Sequence, residues 1–317
     1  MRYFYYLLLL LTSFLWAGNF VVGKWLVGHA SPMTLTSLRW MIAVLCLIPF
    51  VWMTEKKILP PRKAIVPLIF MGITGVALFN ILQFFALENT SATNIGLIST
   101  LNAISIAVFS AFLLKEKIRP LQAAAMGLSL FGVILVLTKG NTALLFTMQF
   151  NRGDLYMLAA VAIWGIYSVC SKWAMASTSP AMATLYSGIF GVLVLLPFNL
   201  TDFTVTDINA SFVSSILYTG VISTVVCFVL WNIGVKKLGA TTSGLFLNFN
   251  PVFTAVLAFF ILGEQMTGAQ LLGSAVVIGG CFLFSYFGTV KPSATRSQDA
   301  IKELSQSEFG TTPLRRS

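Results

Sequence analysis

The sequence predicts an all-α polytopic membrane protein: ten transmembrane helices, arranged as two inverted-topology five-helix repeats around a central cavity. Three observations lead to this prediction. Hydrophobic residues make up 57% of the 317 residues and charged residues only 9%, with a mean hydropathy of +0.87. The apolar residues form long uninterrupted stretches, and the second half of the chain repeats the first at a constant offset. The proportion of hydrophobic to charged residues is far from that of a soluble domain.

Apolar stretches long enough to cross a bilayer follow one another along the chain. A spanning helix needs about 20 mostly apolar residues, and the alternating pattern of a β-barrel strand is absent, which favours helices. The first stretch follows Arg2 and could also be a signal peptide, but it is too long for one and no cleavage site closes it. The predicted segments are 5–27, 34–53, 66–86, 93–114, 121–138, 155–176, 182–200, 211–235, 241–262 and 269–287.

The distribution of Lys and Arg in the short loops predicts the orientation. If the N-terminus is cytoplasmic, only Lys24, Lys139 and Arg152 lie on the outer side. Both termini are therefore expected in the cytoplasm. The net charge of +10 follows from this topology, so no nucleic acid partner is inferred. The cytoplasmic cations are then Lys56, Lys57, Arg62, Lys63, Lys115, Lys117, Arg119, Lys172, Lys236 and Lys237.

A shift of 148 residues aligns the two halves without a gap, which indicates an internal duplication. Each half contains five segments, an odd number, so the second half enters the membrane from the opposite side. The predicted units are a first repeat at 1–148, a second at 149–290 and a polar cytoplasmic tail at 291–317. The aligned pairs include Trp16 with Trp164, Lys24 with Lys172, Pro32 with Pro180, Asn102 with Asn250 and Glu116 with Glu264.

Motifs in both halves resemble the EamA branch of the drug/metabolite transporter superfamily. They are SFLWAGNFVVGKW, SPMTLTSLRWMIA, GLISTLNAISIAVFSAFLLKEKI and NFNPVFTAVLAFFILGEQMTGAQLLGSAVVIGG. The resemblance implies a ten-helix basket with a central cavity, which moves small metabolites across the cytoplasmic (inner) membrane, often outward. One departure concerns proline: Asn250 is followed by Pro251, whereas Asn102 is followed by Ala103. A proline-driven helix distortion is thus expected only in the ninth segment.

Polar and aromatic residues recur on one face of several segments, which predicts a cavity wall. Trp16 and Asn19 share a face of the first segment, and Trp164 and Tyr167 repeat that spacing in the sixth. Interhelical hydrogen bonding is the alternative explanation for each residue taken alone. An aromatic and amide-rich wall suits a neutral, zwitterionic or amphipathic solute. The candidate substrate-cavity residues are Trp16, Asn19, Asn80, Gln83, Asn102, Trp164, Tyr167, Trp231 and Asn250.

Three charged residues at segment ends or within a segment are interpreted as structural or gating residues: Arg39, Glu116 and Glu264. Arg39 lies inside the second segment, where an arginine can bind a carboxylate bidentately. A structural role for Arg39 is favoured over carboxylate binding. The four cysteines are scattered and form no CxxC pair. No metal site and no cofactor are therefore expected.

The leading interpretation is a secondary transporter, not an enzyme, that exports amino-acid-like or other amphipathic metabolites across the cytoplasmic membrane by alternating access. No GxxxxGK[ST] phosphate loop is present to bind ATP. The alternative is a membrane-embedded enzyme acting on lipid-linked substrates, although such chemistry needs an acid, base, metal site or activated nucleophile, and here Asp and Glu lie at segment rims, the cysteines are scattered and the one histidine, His29, stands alone. Expected partners are a small-molecule substrate and the lipid bilayer. Small-xxx-small faces leave a monomer or a homodimer open.

Overall fold

A computed structural model describes residues 2–57, 59–90, 95, 98–138, 140, 141, 143, 151–200, 203–262 and 267–289. Within these residues every regular element is helical, apart from two isolated β-bridges. The prediction of an all-α protein is therefore confirmed. Glu264 and the tail at 291–317 lie outside the described residues.

The described helices follow the predicted segments closely. Those of the first half are α1 Arg2–Lys24, α2 Pro32–Glu55, α3 Arg62–Asn89, α4 Asn102–Leu113 and α5 Pro120–Thr138. Those of the second half are α6 Arg152–Ala174, α7 Pro180–Asn199, α8 Ala210–Leu238, α9 (Ala240–Leu245, Phe246–Asn248 and Phe249–Leu262) and α10 Gly268–Thr289.

Six of the described helices are long and apolar enough to cross a membrane, namely α1, α2, α3, α6, α7 and α8. Shorter apolar helices occupy parts of α4, α5 and α10. The structure thus supports a membrane protein with several helical spans. The count of ten crossings and their inverted orientation stay predictions.

The same start signal begins α2 and α7. Ser31 and Ser179 are N-caps whose hydroxyl groups accept hydrogen bonds from the backbone N–H of Thr34 and Met182, and a proline occupies the first helical position in each case. A serine cap satisfies an N–H group that the helix leaves unpaired, and proline has no N–H to satisfy there. The two halves therefore share their local folding signals as well as their apolar pattern.

Helices α3 and α8 each widen into a π-helical section at mid-length, Gly72–Leu78 in α3 and Tyr218–Val226 in α8. In α3 this section packs closely on its neighbours. A Cβ added at Gly75 would lie 2.1 Å from a ring carbon of Tyr167 on α6. A π-helical section has more residues per turn than an α-helix, so it changes the direction in which the following side chains point.

Helix α9 is interrupted by a 3-10 turn at Phe246–Asn248, just before Pro251. The expected distortion of the ninth segment is confirmed, and the proline explains it because its ring excludes the carbonyl four residues earlier from the helical pattern. The first half is also interrupted at this point, since Thr100 and Leu101 form a turn before α4 begins at Asn102. The interruption in the first half therefore does not need a proline.

One end of the bundle is closed by apolar packing around the α1–α2 connection. A buried cluster here contains Leu26, Leu35, Phe84, Met157 and Phe212, from five different helices or their connections. The connection itself is covered, because Ala30 bridges Val205 and the N–H of Thr206 donates to the carbonyl oxygen of His29 at 2.7 Å.

Candidate substrate cavity

Two repeat-equivalent tryptophans meet at the centre of the helix bundle. The ring centroids of Trp16 on α1 and Trp164 on α6 lie 5.5 Å apart, with an angle of 82° between the ring planes. Such edge-to-face pairs are favourable. Phe228 of α8 is 5.7 Å from each tryptophan, and Trp231 lies 5.8 Å from Trp16 and 5.6 Å from Trp164. The four rings form one aromatic cluster, which we call the central aromatic cluster.

A small cavity lies beside the central aromatic cluster. Its volume is about 40 Å³, which is room for about three water molecules. Residues from both repeats line it: Trp16, Asn19, Phe20, Arg39, Phe79, Gln83, Asn102, Met157, Trp164, Phe228, Leu247 and Asn250. The cavity is thus far smaller than a typical small-molecule site, which has a volume of about 300 Å³ or more.

The structure brings together six of the nine residues that the sequence places in the cavity wall. They come from α1, α3, α4, α6 and α9, and they are Trp16, Asn19, Gln83, Asn102, Trp164 and Asn250. Their grouping shows that the polar faces of these helices converge. Contact with a substrate stays a prediction for each of them.

The other three candidates, Asn80, Tyr167 and Trp231, pack beside the cavity without lining it. Asn80 donates to the carbonyl oxygens of Gly75 and Val76 in the π-helical section of α3. The Tyr167 hydroxyl donates to Asn232 Oδ1 at 3.4 Å, and its ring covers Gly75. Trp231 is fully buried beneath the two central tryptophans. Their surroundings are those of packing residues.

Arg39 lies on the cavity wall and is 2% exposed. Its Nε donates to Thr224 Oγ1 at 2.6 Å, Nη1 to Asn80 Oδ1 at 2.9 Å, and Nη2 to Ser223 Oγ at 3.0 Å. These bonds join α2 to α3 and α8. Asn80 lies just after the π-helical section of α3, and Ser223 and Thr224 belong to that of α8. Arg39 therefore connects the two π-helical sections.

The polar groups of the wall differ in how well they are satisfied. Trp16 Nε1 donates to the carbonyl oxygen of Ser223 at 2.9 Å, and Ser223 Oγ donates to Asn19 Oδ1 at 2.8 Å. By contrast, Asn102 Oδ1 and Trp164 Nε1 are buried and have no hydrogen-bond partner among the described residues. A buried polar group without a partner is costly. A ligand or water could therefore donate to Asn102 Oδ1 and accept from Trp164 Nε1.

Glu116 lies away from the central cavity, in a pocket of about 350 Å³ where α4 ends and α8 meets α9. Its Oε2 accepts a hydrogen bond from Thr241 Oγ1 at 2.7 Å. Lys117 and Lys237 line the same pocket. Glu116 thus links α4 to α9, and its structural or gating role stays a prediction. Its repeat-equivalent Glu264 lies outside the described residues.

Several wall residues were missed because they are apolar. Phe20 is four residues after Trp16, and Phe79 is four residues before Gln83, so each shares a helical face with a predicted residue. Met157 and Leu247 gave no signal, since an apolar residue in an apolar helix does not stand out. Ser223 and Thr224 are adjacent hydroxyl residues in the eighth segment, but Ser214 and Ser215 form a similar pair there, so the sequence alone does not single out the pair that binds Arg39.

The repeat architecture also matches a known family. The profile of the EamA-like transporter family matches residues 3–138 and, again, residues 151–286. The chain belongs to the EamA-like transporter family. The two matches fall on the two predicted repeats and leave out only the ends and a short connection. Membership of a transporter family also means that the protein is not classed with enzymes.

Relatives of this EamA-like protein are named as transporters. The uncharacterized transporter YyaM of Bacillus subtilis is 28% identical over 302 residues, covering 93% of this chain and 98% of YyaM. An S-adenosylmethionine/S-adenosylhomocysteine transporter of Chlamydia muridarum is 23% identical over 289 residues, covering 87% of this chain and 90% of that one. A solved crystal structure has a TM-score of 0.72 at 21% identity, covering 90% of this chain and 98% of the other, and shows the same fold.

Proposed function

We propose that this protein is a secondary transporter that exports small amphipathic metabolites, amino-acid-like solutes among them, across the inner membrane by alternating access. The observation that carries the proposal is the cavity between the two repeats. Aromatic and amide side chains from both repeats converge on it, at the place where Trp16 meets its repeat-equivalent Trp164. Inverted repeats around a central site are a common way to build two alternative gates.

The composition of the wall supports an amphipathic solute. Aromatic rings bury apolar parts of a ligand, and the amides of Asn19, Gln83 and Asn102 can donate and accept hydrogen bonds. The Chlamydia relative is named for S-adenosylmethionine and S-adenosylhomocysteine, both of which carry an amino acid group. That relationship favours amino-acid-like substrates for this chain too.

The proposed transport cycle uses the present conformation as its closed state. The cavity of about 40 Å³ excludes a metabolite, so a loaded state has its walls further apart. The ten crossings and the opposite orientation of the two repeats belong to the same proposal, with both termini in the cytoplasm. A monomer is sufficient for this cycle, since both repeats lie in one chain.

The test is counterflow in proteoliposomes that contain the purified protein. Vesicles are loaded with an unlabelled L-amino acid, and the uptake of the same labelled amino acid is followed, with S-adenosylhomocysteine included in the panel. Saturable uptake that depends on the internal solute supports a carrier. Conversion of an added lipid-linked substrate into a product would instead support the membrane-embedded enzyme, and the absence of counterflow for the whole panel would reject amino-acid-like substrates.

Single-cysteine labelling tests the position of the cavity. In a background without Cys46, Cys170, Cys227 and Cys281, a cysteine at position 19 should react with a small membrane-impermeant thiol reagent, and a transported amino acid should protect it. A cysteine at position 167 should stay unreactive, because Tyr167 is fully buried against Gly75 and does not line the cavity. Equal reactivity at 167 and 19, or a lack of protection at 19, would place the substrate path elsewhere.

A further inference from the structure

Arg39 carries a charge that its packing role does not use. Its three hydrogen bonds end on the neutral oxygens of Thr224, Asn80 and Ser223. Within the described part of the chain, no carboxylate lies within 4.0 Å of the guanidinium group. In a membrane protein, a buried charge with no opposite charge beside it is costly, and such charged groups commonly face a functional site.

The second repeat has no charge at the equivalent position. The residue equivalent to Arg39 at the offset of 148 is Ser187 on α7. Within the second repeat, helices are joined through Asn232, whose Oδ1 accepts from Ser171 Oγ at 2.7 Å and whose Nδ2 donates to Thr184 Oγ1 at 3.0 Å. A neutral amide is therefore enough to connect α6, α7 and α8. The positive charge of Arg39 is an addition specific to the first repeat.

Arg39 also retains donors for a ligand. A guanidinium group has five N–H donors, and one bond is made from each of its three nitrogens, so one N–H remains on Nη1 and one on Nη2. A carboxylate that binds end-on uses one N–H from each of these nitrogens. The same cavity contains Asn102, which is 6% exposed and whose Oδ1 has no partner among the described residues.

We propose that Arg39 is the specificity-determining residue of the cavity: it binds the free carboxylate of the substrate, while Asn102 Oδ1 accepts a hydrogen bond from the substrate's ammonium group. The substrate class is thus a small zwitterion with an apolar portion that contacts the central aromatic cluster. This inference rests on the proposed transport function. It replaces the purely structural role that the sequence favoured for Arg39 with two roles, one in packing and one in recognition.

The experiment compares matched pairs of probes in counterflow and in thermal-shift binding. The probes are L-methionine, L-leucine, L-phenylalanine and S-adenosylhomocysteine, each with its carboxamide. The wild-type protein should prefer the acid over the amide by about 10- to 100-fold, since a hydrogen-bonded charge pair is lost in the amide. Arg39→Gln should abolish that preference, and Arg39→Lys should keep part of it, because lysine retains the charge without the bidentate geometry.

Thr224→Val is the matched control. It removes one hydrogen bond from the guanidinium group but leaves the charge, so it should lower the melting temperature and keep the acid-to-amide ratio. If Arg39→Gln does not fold, the ratios of the wild type, Arg39→Lys and Thr224→Val still decide the matter. The inference is supported if the wild type and Thr224→Val keep the acid-to-amide ratio and Arg39→Lys has a reduced one. An unreduced ratio in Arg39→Lys overturns it.

Two kinds of failure are distinguishable. Saturable counterflow with equal use of acids and amides, or an acid preference that survives in Arg39→Gln, overturns the role of Arg39 but leaves the transporter intact. Saturable flux of a purely cationic amine instead of any acid has the same meaning. The absence of counterflow for every probe by the folded wild-type protein overturns the proposed amino-acid-like function, and the role of Arg39 with it.

Discussion

Trp16 and Trp164 occupy equivalent positions, yet their indole nitrogens have different surroundings. Trp16 Nε1 donates to the carbonyl oxygen of Ser223, whereas Trp164 Nε1 is buried without a partner among the described residues. A comparison of the two residues therefore separates the contribution of the ring contact to stability from that of the hydrogen bond. Both rings contact Phe228 and Trp231.

Replacement of each tryptophan by phenylalanine should expose this difference. Trp16→Phe loses a buried hydrogen bond and leaves the Ser223 carbonyl with one partner fewer, which costs about 1 kcal/mol. Trp164→Phe keeps an aromatic ring and loses no such bond. Thermal melting in detergent should thus show a larger decrease for Trp16→Phe. Equal decreases for the two variants would contradict the hydrogen-bond assignment.

Replacement of Trp164 by alanine tests the substrate contact. Removal of the ring should cost on the order of 1 to 3 kcal/mol of binding if the ring is buried against a ligand, which weakens the apparent affinity about 5- to 150-fold. The concentration dependence of counterflow measures this change. An unchanged apparent affinity in a folded Trp164→Ala protein would remove Trp164 from the substrate site.

Lys24 and Lys172 act at helix ends rather than in the cavity. Lys24 Nζ donates to the carbonyl oxygen of Leu87 near the end of α3, and Lys172 Nζ donates to that of Val235 near the end of α8 at 3.4 Å. Leu87 and Val235 are themselves separated by the repeat offset. A cation is favourable beside the free carbonyl groups of a helix C-terminus. Both lysines thus fasten one helix to the end of another.

Lys24→Gln should therefore affect stability and not affinity. The loss of a cation at a helix C-terminus costs about 0.3 to 1 kcal/mol, which a small decrease in melting temperature would show. The apparent substrate affinity in counterflow should match that of the wild type, because Lys24 does not line the cavity. A large loss of affinity with unchanged melting would instead indicate a gating role.

At the scale of elements, the π-helical sections of α3 and α8 are where the two repeats come together. Arg39 donates to Asn80, which itself donates to a carbonyl oxygen of the α3 section, and to Thr224 in the α8 section. Gly75, in the α3 section, allows the ring of Tyr167 to approach. π-helical turns are rare and frequently occur at functional sites. In the proposed transport cycle, these two sections are therefore suitable places for the helices to bend.

Gly75→Ala tests this close approach. The added Cβ would lie 2.1 Å from the Tyr167 ring, so the helices must shift, which costs about 1 to 3 kcal/mol. Gly127→Ala on α5 is the matched control, because no atom lies within 4 Å of the added Cβ and alanine favours a helix. Thermal melting should fall for Gly75→Ala only. Similar melting of the two variants would show that α3 and α6 are not packed as described.

At the scale of the whole molecule, the proposal of two oppositely oriented five-helix repeats requires both termini on the same side of the membrane. A C-terminal green fluorescent protein fusion should fluoresce in cells, and a C-terminal alkaline phosphatase fusion should be inactive, because phosphatase folds only outside the cytoplasm. A phosphatase fusion at the α1–α2 connection, near residue 29, serves as the control and should be active. Active phosphatase at the C-terminus would reject an even number of crossings.

The sequence by itself determined the helical segments, the duplication and the family. These properties depend on local patterns: apolar length decides a span, serine and proline begin a helix, and a constant offset reveals a repeat. Such patterns also place Trp16 and Asn19 on one face, since residues three or four apart lie together on a helix. They do not depend on how the helices are rotated against one another.

Only the tertiary structure decided which of those residues reach the cavity. The amide of Asn80 is taken up by hydrogen bonds with Arg39 and with a carbonyl oxygen of the π-helical section of α3. Tyr167 fits over Gly75 and Trp231 lies beneath two other tryptophans, contacts that depend on the partner helix. Arg39 joins the wall because hydroxyl groups of α8, about 185 residues away, accept its hydrogen bonds. Helical spacing in one segment contains no information about such distant partners.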